Sequence, residues 1–91
     1  MRYIAYIRKD PNSDYGVDFP DLPGCISAGS TIEEAHSMAR EAAAVYVEYL
    51  NEESRSLPRA SSLDDLKNDP YRKDAAVCFV DVTKHSAPRR K

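Results

Sequence analysis

Residues 19–35 read Phe19-Pro20-Asp21-Leu22-Pro23-Gly24-Cys25-Ile26-Ser27-Ala28-Gly29-Ser30-Thr31-Ile32-Glu33-Glu34-Ala35. This stretch ends one strand, turns, makes another and starts a helix. Pro20 has no N–H to give to a ladder, so a strand stops at Phe19. Pro23 fixes its own φ, and Gly24 accepts the positive φ that a tight reversal needs. A short strand over Cys25 to Ala28 follows, placed at a sheet edge. After Gly29, either Ser30 with Glu33 or Thr31 with Glu34 has the spacing of a capping box. Glu33 and Glu34 also suit the positive end of a helix dipole.

Upstream, Tyr15 to Phe19 alternates as a strand, with Tyr15, Val17 and Phe19 inward and Gly16 and Asp18 outward. Lys9 to Asp14 is a polar loop holding Pro11 and Asn12. Arg2 to Arg8 is a first strand with Tyr3, Ala5 and Ile7 on one face and Ile4 and Tyr6 on the other. Downstream, Ile32, Ala35, Ala39, Ala42, Ala43, Tyr46, Val47 and Leu50 form one helical stripe, which predicts a helix from Thr31 or Ile32 to about Asn51. Its alanine middle lets it sit close to a sheet. The stretch to Ala60 is polar, holds Pro58 and reads as a loop. Ser61-Ser62-Leu63-Asp64-Asp65-Leu66 has the caps and first-turn acids of a short helix that stops at Asn68-Asp69-Pro70. Ala75 to Thr83 is the last strand, apolar on both faces.

The element order predicts an α+β fold, βββαβ. Its first three strands form an antiparallel meander. The crossover rule places the last strand beside the first and parallel to it. One long and one short helix cover one face. The other face is then bare, although strands one and four are apolar on both. Either Ile4, Tyr6, Val77 and Phe79 or their alternates would lie bare as a patch that a second protein surface buries, and the first set is the one assigned to self-association as a dimer or tetramer.

The 91 residues make one small domain with 42% hydrophobic residues. No apolar run approaches the ~20 residues of a membrane span, and the first residues enter a strand pattern without a signal-peptide core. The expected location is cytoplasmic, with no membrane partner. Cys25 and Cys78 stand in apolar strand contexts as buried free thiols, and with His36 and His85 they have no zinc spacing. The formal charge is −2. With Lys84, Arg89, Arg90 and Lys91 set aside, nine basic residues face 15 acidic ones, a balance near −6. Nucleic-acid readers are usually basic, so this body suits a basic protein partner better.

Chemistry-bearing candidates are few. Asp14, Asp18 and Asp21 could gather at one end of the sheet as a metal site, although turn and surface roles explain each one more simply. His36 has no fixed nucleophile beside it. Cys25 follows a turn but has no neighbouring cation to lower its pKa. There is no glycine-rich phosphate loop. The tyrosines fit core and interface roles. No catalytic residue, metal or cofactor is assigned.

The run Tyr15-x-Val17-x-Phe19-Pro20-Asp21-Leu22-Pro23-Gly24-Cys25, then Gly29-x-Thr31-x-Glu33-Glu34-Ala35 and an alanine-rich helix, resembles the HicB antitoxins, and the likeness extends over most of residues 1–83. The resemblance implies a partly degenerate ribonuclease-H-like domain without ribonuclease-H activity. It also implies a partner, the HicA toxin, a small basic ribonuclease that cleaves mRNA and whose catalytic histidine the antitoxin shields. Asp18, Asp21, Leu22, Glu33 and Glu34 are the expected toxin contacts. Many members of the family add a C-terminal DNA-binding module. Here residues 1–83 form the toxin-neutralising domain and residues 84–91 a basic, disordered tail where such a module would begin. DNA is therefore a partner only if that module is present. The competing readings are a metal-dependent nuclease using Asp14, Asp18 and Asp21, and an operon autorepressor acting through the missing module.

Overall fold

β1 (Arg2–Lys9) lies inside the sheet, and the computed structural model, which describes residues 1–9 and 11–82, arranges everything else about it. β2 (Tyr15–Asp18) and β4 (Ala76–Asp81) flank it, and β3 (Ile26–Gly29) pairs with the far side of β2. The strand order is β3-β2-β1-β4, with every neighbouring pair antiparallel. α1 (Ile32–Glu52) lies across one face.

The period-two alternation decides which side chains meet the helix. Tyr3, Ala5 and Ile7 of β1, Val17 of β2 and Val80 of β4 form one cluster with Phe19, Leu22, Cys25 and Val82. α1 contributes Ala35, Ala39, Ala43 and Val47 to it, at intervals of four. Small side chains bring the helix axis near the strands. At Gly29 the approach leaves no room for a side chain, because an added Cβ would lie 2.7 Å from Ala35 Cα. The helix starts as the capping spacing predicts. Thr31 is the N-cap, and its hydroxyl accepts from the Glu34 N–H at 3.0 Å. The Glu34 carboxylate reaches back one residue further than in a simple box, accepting from the Ser30 N–H at 2.6 Å and the Ser30 hydroxyl at 2.8 Å. Those bonds hold the Glu34 carboxyl below its usual pKa. Gly24 takes φ +83, as the reversal requires.

Three expectations are corrected. The last strand is antiparallel to the first, with Arg2 opposite Asp81 and Ile7 opposite Ala76. The crossover rule applies where a helix feeds directly into the next strand. Here the chain between Glu52 and Ala76 runs the length of the sheet once more before β4 begins. Pro58 accepts from the Tyr3 hydroxyl on the helix side at 2.6 Å. Ser61 then bonds Asp21, near the end of the sheet where β1 begins. Asp69 accepts from the Tyr6 hydroxyl on the opposite face at 2.9 Å, and Tyr71 reaches Arg8 near the far end of β1. A strap that climbs the sheet leaves β4 to descend it.

The same strap overturns the bare face. Ile4 and Tyr6 are each 1% exposed. Val77 is half-buried, and Phe79 keeps 45% of its surface. The strap also replaces the short helix expected at residues 61–66. Ser62 and Asp65 do form their reciprocal cap, through Ser62 N–H to Asp65 Oδ2 and Asp65 N–H to Ser62 Oγ. Beyond it, however, Lys67 and Asp69 donate to residues three back, so the segment is a run of turns. The short helix present is a 3-10 turn, Pro70–Arg72, capped by Asp69, whose side chain accepts from the Tyr71 N–H. The helices thus do not share one face. Thr83 and the basic tail of residues 84–91 lie outside the described residues.

Candidate protein-docking site

Five residues carry the expectation of a contact surface, and the fold does not bring them together. Glu33 and Glu34 sit at the helix start, beside the Gly29 end of β3. Asp18 lies opposite Ile26, at the other end of β3. Its carboxylate accepts from Arg8 at 3.0 Å. Asp21 lies beyond the end of β2, with its carboxylate accepting from the Ser61 N–H at 2.7 Å and the Ser61 hydroxyl at 2.8 Å. That acceptance anchors the strap. Leu22 is 0% exposed and belongs to the core, where it offers no surface in this structure. Glu34 is engaged in its cap, which leaves Glu33 as an exposed acid of the set with no assigned structural bond.

The three aspartates proposed for a metal are likewise apart. Asp14 and Asp18 bracket β2, about 13 Å of extended chain at ~3.3 Å per residue, and two of the three are committed to Arg8 and Ser61. Among the described residues no three His, Cys, Asp or Glu side chains form a metal-like group. Burial pushes the Cys25 thiol up to about 11. Among the described residues nothing beside it stabilises a thiolate, so it behaves as a small core hydrophobe. Cys78 is half-buried and its thiol is also raised by burial.

On the outer face, Arg8 is the hub of the strap. Its guanidinium stands 5.5 Å from the Tyr6 ring centroid and 5.9 Å from that of Tyr71, pairs with Asp18 and donates to the Tyr71 carbonyl. Each of these contacts adds modestly at a half-exposed site. Together they close the strap over Tyr6.

An open groove of about 480 Å³ lies between β3 and α1. Gly24, Ile26 and Ser27 form its strand wall, and Met38, Glu41, Val45 and Tyr49 stand on its helix wall. Several of these side chains are large, apolar and exposed: Ile26 72%, Val45 62% and Tyr49 49%. Isolated exposed hydrophobes are ordinary, but a contiguous set beside an edge strand marks an interaction surface. A signal for this groove was present in the sequence. Met38, Ala42, Val45 and Tyr49 repeat at intervals of four, three and four, a second apolar stripe beside the one that faces the core.

Residues 3–91 match the family described as HicB_like antitoxin of bacterial toxin-antitoxin system. The chain belongs to that family. The crystal structure of the N-terminal domain of the Burkholderia pseudomallei antitoxin HicB superposes with a TM-score of 0.81 at 34% identity, covering 91% of this chain and 99% of that one. A chain of a HicA3 and HicB3 toxin-antitoxin complex matches with a TM-score of 0.74 at 31% identity, over 91% of this chain and 99% of that one. A 14.9 kDa protein of Haemophilus phage HP1, from its rep-hol intergenic region, is 41% identical over 82 residues, 90% of this chain and 61% of that protein. This HicB-like chain therefore spans less than two thirds of that phage relative. No helix among the described residues is long and apolar enough to cross a membrane.

Proposed function

We propose that this chain is a non-enzymatic antitoxin that binds a small, basic HicA-like ribonuclease in the cytoplasm and silences it by obstruction. The match of residues 3–91 to the antitoxin family carries this reading. The neighbour solved as a HicA3 and HicB3 complex supports it. The acid excess of the body supports it too, because an acidic surface steers a cationic partner and competes for the sites that hold RNA phosphates. The nuclease alternative draws no support from the separated Asp14, Asp18 and Asp21. Glu33 and Asp18 are the surface acids we retain as toxin contacts. Phe79 and Val77 are the members of the expected pairing patch that keep surface for a second copy. Autorepression would require a DNA-binding module beyond these residues.

The test is co-expression with a HicA-type toxin. Growth should recover, and purified toxin should stop cleaving RNA at one equivalent of this protein. Undiminished cleavage at saturating antitoxin would refute the reading. Magnesium-dependent cleavage of nucleic acid by the antitoxin alone, lost in Asp18→Asn, would replace it with the nuclease alternative.

A further inference from the structure

The groove between β3 and α1 has features that together specify an occupant. β3 is the outer strand of the sheet and, among the described residues, pairs only with β2. In an antiparallel edge strand, alternate residues aim their N–H and C=O groups outward, where another strand can bond them. The apolar helix wall stands beside that edge, so a strand added to β3 would place its inward side chains against Met38, Val45 and Tyr49. The rim is acidic. Glu41 lines the groove. Glu34, Glu41 and Glu48 recur every seven residues along the solvent side of the Met38–Val45 rib, and no cation shares that line. Arg40 lies on the other flank of α1, close enough to Cys78 of β4 to act on its thiol.

Charge also selects between two kinds of partner. A second copy pairing β3 to β3 about a two-fold axis would set the glutamate line of one α1 against that of the other. Like charges facing each other across a closing interface are unfavourable. A strand carrying apolar residues flanked by lysine or arginine meets an apolar floor and an opposite-charged rim.

We propose that β3 and α1 capture an extended, cation-flanked apolar segment of the toxin by strand addition. This deepens the antitoxin reading and rests on it. It assigns the contact to residues 24–29 and to the Met38–Tyr49 rib, and it makes the edge strand the element that the toxin extends.

The probe is a HicA-type toxin, with its catalytic histidine replaced so that it can be purified, titrated by calorimetry against this protein and its variants. Val45→Arg alters an exposed side chain, so the variant should fold with unchanged circular dichroism. It should bind the toxin weaker by about tenfold or more. Glu41→Lys should weaken binding and flatten its salt dependence. Leu63→Arg, on the strap, should leave affinity within about twofold, like other rim and off-site changes. Amide exchange at residues 26–29 should slow on complex formation, as a newly paired strand requires. If the wild type binds but Val45→Arg and Glu41→Lys bind equally well, the groove assignment is overturned while the antitoxin reading stands. If Val45→Arg instead abolishes a self-associated state and spares toxin binding, the occupant is a second copy and the proposal is wrong. If the wild type does not bind the toxin at all, both fall.

Discussion

Replacing Gly29 by alanine tests how closely α1 is seated on β3. Its Cβ would lie 2.7 Å from Ala35 Cα and 2.8 Å from Glu34 C. Carbon atoms rest about 3.5–4.0 Å apart, so α1 must withdraw from β3 by roughly 1 Å. The obstructing atoms are backbone, and no rotamer change relieves them. Overpacking costs about 1–3 kcal/mol where side chains can adjust, so the upper end, about 3 kcal/mol, is expected here. In a domain of this size each kcal/mol moves Tm by roughly 4–8 °C, giving a fall of about 12–24 °C. Two other glycines serve as controls. Gly16 has nothing within 4 Å of an added Cβ, and Gly16→Ala should be neutral or stabilising by about 0.5–1 kcal/mol, since glycine weakens a strand. Gly24 also has open space, but its φ is +83, so Gly24→Ala should cost about 1–2 kcal/mol through backbone conformation alone. Urea denaturation and thermal melts of the three variants measure the series. A Gly29→Ala protein within about 1 kcal/mol of the wild type would refute the reasoning, because the helix could not then be seated where we place it.

Asp21→Ala removes both acceptors of Ser61 and should cost about 1–3 kcal/mol in urea unfolding, with faster amide exchange along residues 58–71 as the strap loosens. The Glu34 carboxyl is held low by the Ser30 N–H and hydroxyl. Its contribution is therefore present above the unfolded value near 4.5 and is lost as pH falls through the lower folded value. Glu34→Gln should remove that part of the acid sensitivity, read as a Tm that changes less below pH 4.5. Cys25, with its thiol pushed up to about 11 and its side chain buried, should resist iodoacetamide in the native protein and react on unfolding. Rapid native labelling, located by peptide mass spectrometry, would show that the Gly24 turn opens.

The proposed antitoxin role needs little chemistry from this chain. Its aspartates serve structure: Asp21 anchors the strap, Asp69 caps the 3-10 turn and holds Tyr6, and Asp18 pairs with Arg8. A protein that works by covering another needs a rigid surface of the right shape and charge. Strapping Ile4 and Tyr6 beneath residues 61–71 leaves the apolar β3–α1 groove as an open surface for that work.

Local features were readable from the residues themselves, because their causes lie within a few positions. The alternation of Tyr3, Ala5 and Ile7 against Ile4 and Tyr6 assigns faces. The stripe from Ala35 to Leu50 assigns the buried side of α1. Thr31 with Glu34 starts the helix, and Gly24 makes the reversal. The direction of β4 and the cover over the outer face were not readable in this way. They follow from the path between Glu52 and Ala76, held by Tyr3 to Pro58, Ser61 to Asp21 and Tyr6 to Asp69, partners 55, 40 and 63 residues apart. Propensity and periodicity act over a turn or a strand, whereas bonds across such distances form only once the sheet exists to bring their partners together.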